Sequence, residues 1–234
     1  MSRTWKWVLA VVVGIAVAIP AGTFVYINFI RDDPPARLTL ESDNEGTPTT
    51  AAPAAGGDTT EVSGRWRPTS ESVLGYRVKE VLLGQSAEGV GRTSDVTGSM
   101  TIDGASVDTV ELVADMKTVK SDESRRDGQF QGRIMETANY PTATFKLTQP
   151  LVLSNVPTDN AVVDAQATGD LTLHGVTKEA SFTLKAQRDG AKIKVNGTIP
   201  IVFADFGIDN PSGGPARTED NGLLEFTVVF GRAL

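Results

Sequence analysis

Cysteine is absent from the chain. That excludes disulfides, thiolate nucleophiles, cysteine-ligated zinc and a lipidated-cysteine anchor, so any folded part must be held by its own core. Histidine occurs once, as His174. A nucleophilic triad of the usual kind would have to use it as base, yet no Gly-x-Ser-x-Gly elbow accompanies it. A Walker-type phosphate loop is missing too. Basic excess is also lacking: the formal net charge is -7, and Lys and Arg are scattered rather than clustered. An acidic chain without a basic face has no electrostatic footprint for nucleic acid. Internal repeats are not found.

Charge is missing altogether from Trp7 to Ile30, where only Gly14, Pro20, Gly22, Thr23 and Asn28 interrupt aliphatic and aromatic residues. A helix of that length spans about 36 Å, enough to cross a bilayer with some tilt. Arg3 and Lys6 precede it, while Arg31, Asp32, Asp33 and Pro34-Pro35 follow. The positive-inside bias then places residues 1–6 in the cytoplasm, a transmembrane helix at 7–30 and the remainder outside the cell membrane. A cleaved signal peptide is the competing reading, with Ala16-Val17-Ala18 as its small-x-small site. Its apolar core would be only about 7–15 residues, so the uncleaved anchor is preferred on length. Residues 31–64 follow, poor in large aliphatics and rich in Pro, Thr, Ala and Gly, as in TPTTAAPAAGGDTT. Such a stretch cannot offset its ordering entropy and is expected to be a disordered linker with a mean reach near 30 Å.

From residue 65 onward the pattern becomes period two. Val110, Leu112, Ala114 and Met116 share one face, as do Ala143, Phe145 and Leu147. The longest case places Val163, Ala165, Ala167, Gly169, Leu171 and Leu173 together, followed by Val176, Ala180, Phe182 and Leu184. Ile193, Val195, Gly197, Ile199, Ile201 and Phe203 come next, then Leu224, Phe226, Val228 and Phe230. Alternation of this kind marks half-buried antiparallel strands. Turn pairs Asp103-Gly104, His174-Gly175, Asp189-Gly190 and Asn221-Gly222 separate them. The fold class is therefore all-β, a sandwich or a barrel. One segment, Ser121–Met135, breaks the alternation; a capping serine, early acids and the Phe130/Ile134 spacing predict a short helix or helical loop over one end of the sheet.

Chemistry-bearing residues are few. His174 sits at a predicted turn on the polar face and reads as a solvated turn residue before it reads as a base. Arg125-Arg126-Asp127 reads first as a solvated helix face and second as an anion-binding head-group site. Gly207–Arg217 reads as a lid or merely a long connection. Asp205 and Asp209 lack calcium-loop spacing. Small Ala165, Ala167 and Gly169 share inward faces with large Phe145, Phe182, Phe203 and Phe226 on other strands. Small against large either interdigitates in a filled core or leaves a cavity, and both readings stand.

Several stretches resemble the YceI-like family of bacterial envelope proteins. They are Ser72-Val73 with Gly75-Tyr76-Arg77-Val78, then SRRDGQFQGRIMETANYPTATF at Ser124–Phe145, and Asp205-Phe206-Gly207-Ile208 with the terminal LLEFTVVF. The most specific is GDLTLHGVTK at Gly169–Lys178. The resemblance runs from about Trp66 to the C-terminus. It implies a lipocalin-like antiparallel β-barrel of about eight strands over 65–234, and a non-enzymatic protein that holds a polyisoprenoid lipid, a polyprenyl phosphate or an isoprenoid quinone, without a cofactor. The lining expected for such a ligand comprises Leu112, Ala114, Met116, Phe130, Phe145 and Leu147 in the first half of the barrel. Ala165, Ala167, Phe182, Leu184, Ile199, Ile201, Phe203, Phe226 and Val228 complete it. Arg125 and Arg126 would meet the head group. Better-known members have a cleaved signal and diffuse freely, whereas this chain carries an anchor-length apolar run. A homodimer stays open, and a protein-interaction scaffold with a filled core is the alternative function.

Overall fold

The structure is a computed structural model that describes residues 34–40, 62–82, 84–153, 156, 160–213 and 216–233, with isolated positions between 4 and 22. The expected transmembrane helix at 7–30 lies almost wholly outside the described residues. Among those described, no helix is long and apolar enough to cross a membrane.

Among the described residues thirteen strands follow one another: β1 (Gly64–Pro68), β2 (Val73–Leu82), β3 (Gln85–Thr93), β4 (Val96–Asp103), β5 (Ser106–Asp115), β6 (Lys120–Ser121) and β7 (Thr142–Leu147). The second half supplies β8 (Leu151–Val152), β9 (Val162–Leu173), β10 (Val176–Asp189), β11 (Lys192–Val202), β12 (Ala216–Thr218) and β13 (Asn221–Arg232). Eight of them close a circuit, β1-β4-β5-β7-β9-β10-β11-β13, and the ladder from β13 back to β1 completes the barrel. Every ladder is antiparallel. β13 is long enough to serve two partners: Pro68–Trp66 of β1 pair with Phe230–Arg232, while β2 takes Leu223–Thr227. β3 then extends the sheet from β2, and the short β6 and β12 add to β3 and β2.

Turn chemistry fixes the register. His174 and Gly175 both have positive φ, 49° and 75°, as a two-residue hairpin matched to strand twist requires, and Leu173 faces Val176 across it. A Cβ on Gly175 would meet the Tyr140 ring at 2.6 Å, so glycine is demanded there twice over. Gly104 and Gly190 close the other two expected hairpins, with Asp103 facing Ser106 and Asp189 facing Lys192. The fourth expected turn is absent: Asn221-Gly222 is the first pair of β13, facing Val202 and Ile201.

The segment that breaks the alternation forms α1 (Ser124–Gln129) and continues as a π-helical turn, Phe130–Ile134. It begins two residues later than the capping serine suggested, with Glu123 at the cap position. Ser121 belongs to β6, and its amide and hydroxyl donate to Asp127 Oδ1 at 2.7 Å each. Phe130 is buried and stacks on Tyr76, ring centroids 4.9 Å apart.

Residues 34–40 fall inside the stretch expected to be disordered. They lie against the outer wall of the barrel, and Leu40 is only 1% exposed. Arg77 Nη2 donates to the Pro35 carbonyl at 2.7 Å, Arg92 Nη2 to that of Ala36, and Asn196 Nδ2 to that of Leu38 at 2.8 Å. Beneath them sits an ion cluster in which Arg77 Nε donates to Glu225 Oε1 at 2.6 Å, with side chains 4% and 2% exposed. Glu88 accepts from Arg77 Nη1 at 2.6 Å.

Candidate lipid cavity

Inward residues of the barrel strands enclose two cavities. The inner one, about 160 Å³, is almost wholly apolar. Leu112 and Ala114 of β5, Phe145 and Leu147 of β7, Ala165 and Ala167 of β9 and Phe182 and Leu184 of β10 line it, with Ile199, Phe226 and Val228 opposite. Val62 also lines it; buried Trp66 backs Val62, its indole Nε1 donating to the Val62 carbonyl at 2.9 Å, and the Arg232 guanidinium lies 5.1 Å from the ring centre. Cavities of about 150 Å³ lined by aliphatics and phenylalanine stay dry and accept small apolar molecules. Water is thus a poor occupant here.

The outer cavity is larger, about 400 Å³, and has a polar rim. Met116, Phe130, Ile201 and Phe203 give it apolar walls, and α1 and the π turn roof it with Glu123, Arg125, Arg126 and Arg133. Leu74, Ala143 and Leu224 border both cavities, so the two are neighbouring chambers of one interior. Every residue expected to line a ligand site therefore faces one chamber or the other, and Arg125 and Arg126 stand at the rim.

The two arginines differ. Arg125 is exposed, whereas Arg126 is paired with Asp122 and reaches Glu80 at 3.4 Å. Arg126 is accordingly a strut between α1 and β2 as much as a head-group contact. Arg133, which sequence reasoning did not single out, joins them and donates to the Pro211 carbonyl at 3.1 Å. Tyr76 was missed as well. Its ring lies over Gly91, where a Cβ would come within 2.4 Å, and burial pushes its hydroxyl far above the ordinary range, with Arg126 opposing.

Small and large inward residues prove to do both things the sequence left open. Phe145 packs over Gly169, where a Cβ would approach the ring at 2.5 Å, and Phe226 covers Gly197 in the same way at 2.7 Å. Phe182 meets both rings edge-on, at 5.4 Å and 5.8 Å. Beside this interdigitated cluster, Ala165 and Ala167 line the inner chamber.

His174 is not a solvated turn residue. Its ring packs edge-on to Tyr140 with centroids 4.5 Å apart, Nδ1 lies 3.3 Å from the Phe206 carbonyl, and buried Nε2 has no partner among the described residues. It does not line either chamber.

Residues 67–230 match the family model of the YceI-like domain. The chain belongs to the YceI-like family. Curated relatives include a UPF0312 protein of Pseudomonas putida strain W619, 30% identical over 139 residues that cover 56% of this chain and 68% of the relative. Another, from Pseudomonas aeruginosa strain LESB58, is 33% identical over 143 residues, covering 57% and 70%. Among solved structures, a polyisoprenoid binding domain from Saccharophagus degradans implicated in plant cell wall breakdown superposes with a TM-score of 0.57 at 18% identity, over 72% of this chain and 98% of that one. Burkholderia cenocepacia BcnA gives 0.51 at 18% identity, over 66% and 95%. At that identity the likeness concerns the fold: a closed, eight-stranded antiparallel barrel with one short helix.

Proposed function

We propose that this YceI-like barrel is a membrane-tethered, extracytoplasmic carrier that sequesters a long-chain polyisoprenoid, its tail running through the outer chamber into the inner one and its head at the arginine-bearing rim. The observation that carries the reading is the inner chamber itself, apolar and too dry for water. An unfilled apolar cavity of that size costs on the order of 4 kcal/mol, at about 24 cal/mol per Å³. An apolar guest recovers contacts there and gains about 0.8 kcal/mol per buried methylene. The family membership and the polyisoprenoid binding described for the Saccharophagus degradans domain support the same ligand class. Tethering and outward location rest on the apolar run at 7–30 and its flanking charges.

Native mass spectrometry of the full chain released from detergent, followed by organic extraction, tests the reading. A stoichiometric isoprenoid is expected. A clean apo mass that does not change after incubation with polyprenyl phosphates and quinones would leave the scaffold alternative in its place.

A further inference from the structure

The stretch between the apolar N-terminal run and the barrel reads from composition as one long flexible tether, but its first part is fastened down. Carbonyls of Pro35, Ala36 and Leu38 accept from Arg77, Arg92 and Asn196, and Arg37 Nη1 lies 3.6 Å from Glu225. Leu40 is buried. These donors belong to β2, β3 and β11, so the strap crosses several strands on the outside of the wall.

The strap also has a direction. Arg77 faces Leu223 on β13, and Gly222 and Leu223 border the outer chamber. Asn196 faces Thr227, whose neighbours Phe226 and Val228 border the inner chamber. Four residues along β13 amount to about 13 Å. The chain thus meets the barrel at the level of the polar-rimmed mouth and runs towards the end that holds the inner chamber. Only residues 31–34 separate the end of the apolar run from the first strap contact. Four residues reach at most about 14 Å.

We propose that residues 35–40 are a strap that clamps the barrel close to the bilayer with the mouth of its cavity turned towards the lipid surface. The clamp rests on the reading of 7–30 as a membrane anchor. It replaces a loose tether, reaching about 30 Å, by one of a few residues with a fixed point of attachment. A mouth held at the surface lets an isoprenoid tail pass between membrane and barrel without crossing water.

Two readouts test the clamp. In the full-length protein, the Arg37–Leu38 bond is expected to be cut by trypsin at least about tenfold more slowly than in a synthetic peptide of residues 30–45, because cleavage needs the strap to open. Leu40→Asp, which alters the strap and leaves every barrel side chain in place, is expected to abolish that protection; Arg92→Ala is the second variant. For orientation, single cysteines replace Ser124 on α1 or Asp103, the last residue of β4, at the end that holds the inner chamber. Each is labelled with a fluorophore, and the full chain is reconstituted in phosphatidylcholine vesicles carrying a headgroup quencher. Stronger quenching at position 124 than at 103, with the difference lost in Leu40→Asp, is expected. Equal quenching at both positions, or stronger quenching at 103, would overturn the proposal. If the chain fails to float with the vesicles, the anchor reading and the orientation fall together, while trypsin protection still reports the strap. Lipid co-purification stands or falls separately.

Discussion

Arg77 shows how far a single side chain can depart from its pattern. Alternation along β2 puts it on the outward face, and an outward arginine reads as solvated; Glu225 on β13 reads the same way. Both are buried because the strap covers them, and the strap binds through its own carbonyls, which leave no mark in a sequence. Burial pulls the Arg77 guanidinium down, but its hydrogen bonds to Glu225 and Glu88 outweigh that and hold it above its ordinary value. Arg92 is held below its ordinary value by burial, which Glu225 only partly offsets. Arg77→Ala removes the hydrogen bonds to Glu225 but leaves Arg37 and Arg92 at 3.6 and 3.7 Å from it, so it is expected to cost about 1.5–3 kcal/mol in urea unfolding. Loss of less than about 1 kcal/mol would show that water reaches Glu225. The surface behaves differently. Asp189 is held below its ordinary value by a 2.8 Å bond from Lys194. A depressed folded value means that its contribution is complete above the unfolded value near 3.9 and is lost as pH falls through the folded one. Asp189→Asn should therefore flatten the stability profile slightly below about pH 4 and leave neutral pH almost untouched, because the pair is solvated.

At the scale of elements, the strands with a core on one side were legible and those without it were not. β9 buries every second residue from Ala167 to Leu173 and β11 from Gly197 to Ile201, and a one-residue slip would turn those side chains to solvent, so hydrophobic period and register coincide there. β3 reads QSAEGVGRT and carries no such signal. Its glycines are there to admit neighbours: Gly91 lies under Tyr76, and Gly89 has Arg126 at 3.4 Å from where a Cβ would stand. Those neighbours come from β2 and α1, and a sequence cannot show who leans on whom. The helical segment was legible in kind but not in start, since Ser121 satisfies Asp127 from a strand instead of capping a helix. The β9–β10 hairpin gives the sharpest test at this scale. Gly175→Val would combine a positive φ of 75° with the Tyr140 ring, and is expected to lower stability by about 2–4 kcal/mol in thermal or urea unfolding. The His174 side chain packs on that same ring, so near-ultraviolet circular dichroism of Tyr140 should change with it.

For the molecule as a whole, a barrel is compatible with either a filled or a hollow interior, and only the detailed fit of the rings separates the two. Phe145 and Phe226 close over Gly169 and Gly197, yet Ala165 and Ala167 line a cavity that composition alone could not reveal. That cavity makes stability and ligand uptake move in opposite directions under one substitution. Ala167→Leu adds apolar atoms into the inner chamber, so the empty protein should be as stable as before or more so, as cavity filling commonly gives about 0.5–2 kcal/mol. The same atoms occupy space an isoprenoid tail would use. Adding a polyprenol at about 100 times its dissociation constant should stabilise the native chain by about 2.7 kcal/mol. For a domain of this size that is a rise of roughly 5–10 °C in melting temperature. The Ala167→Leu chain should start no lower and rise far less. A variant that starts lower but rises as much would place the ligand outside the inner chamber. Equal behaviour of both chains without any rise would instead favour a barrel that uses its outer surface.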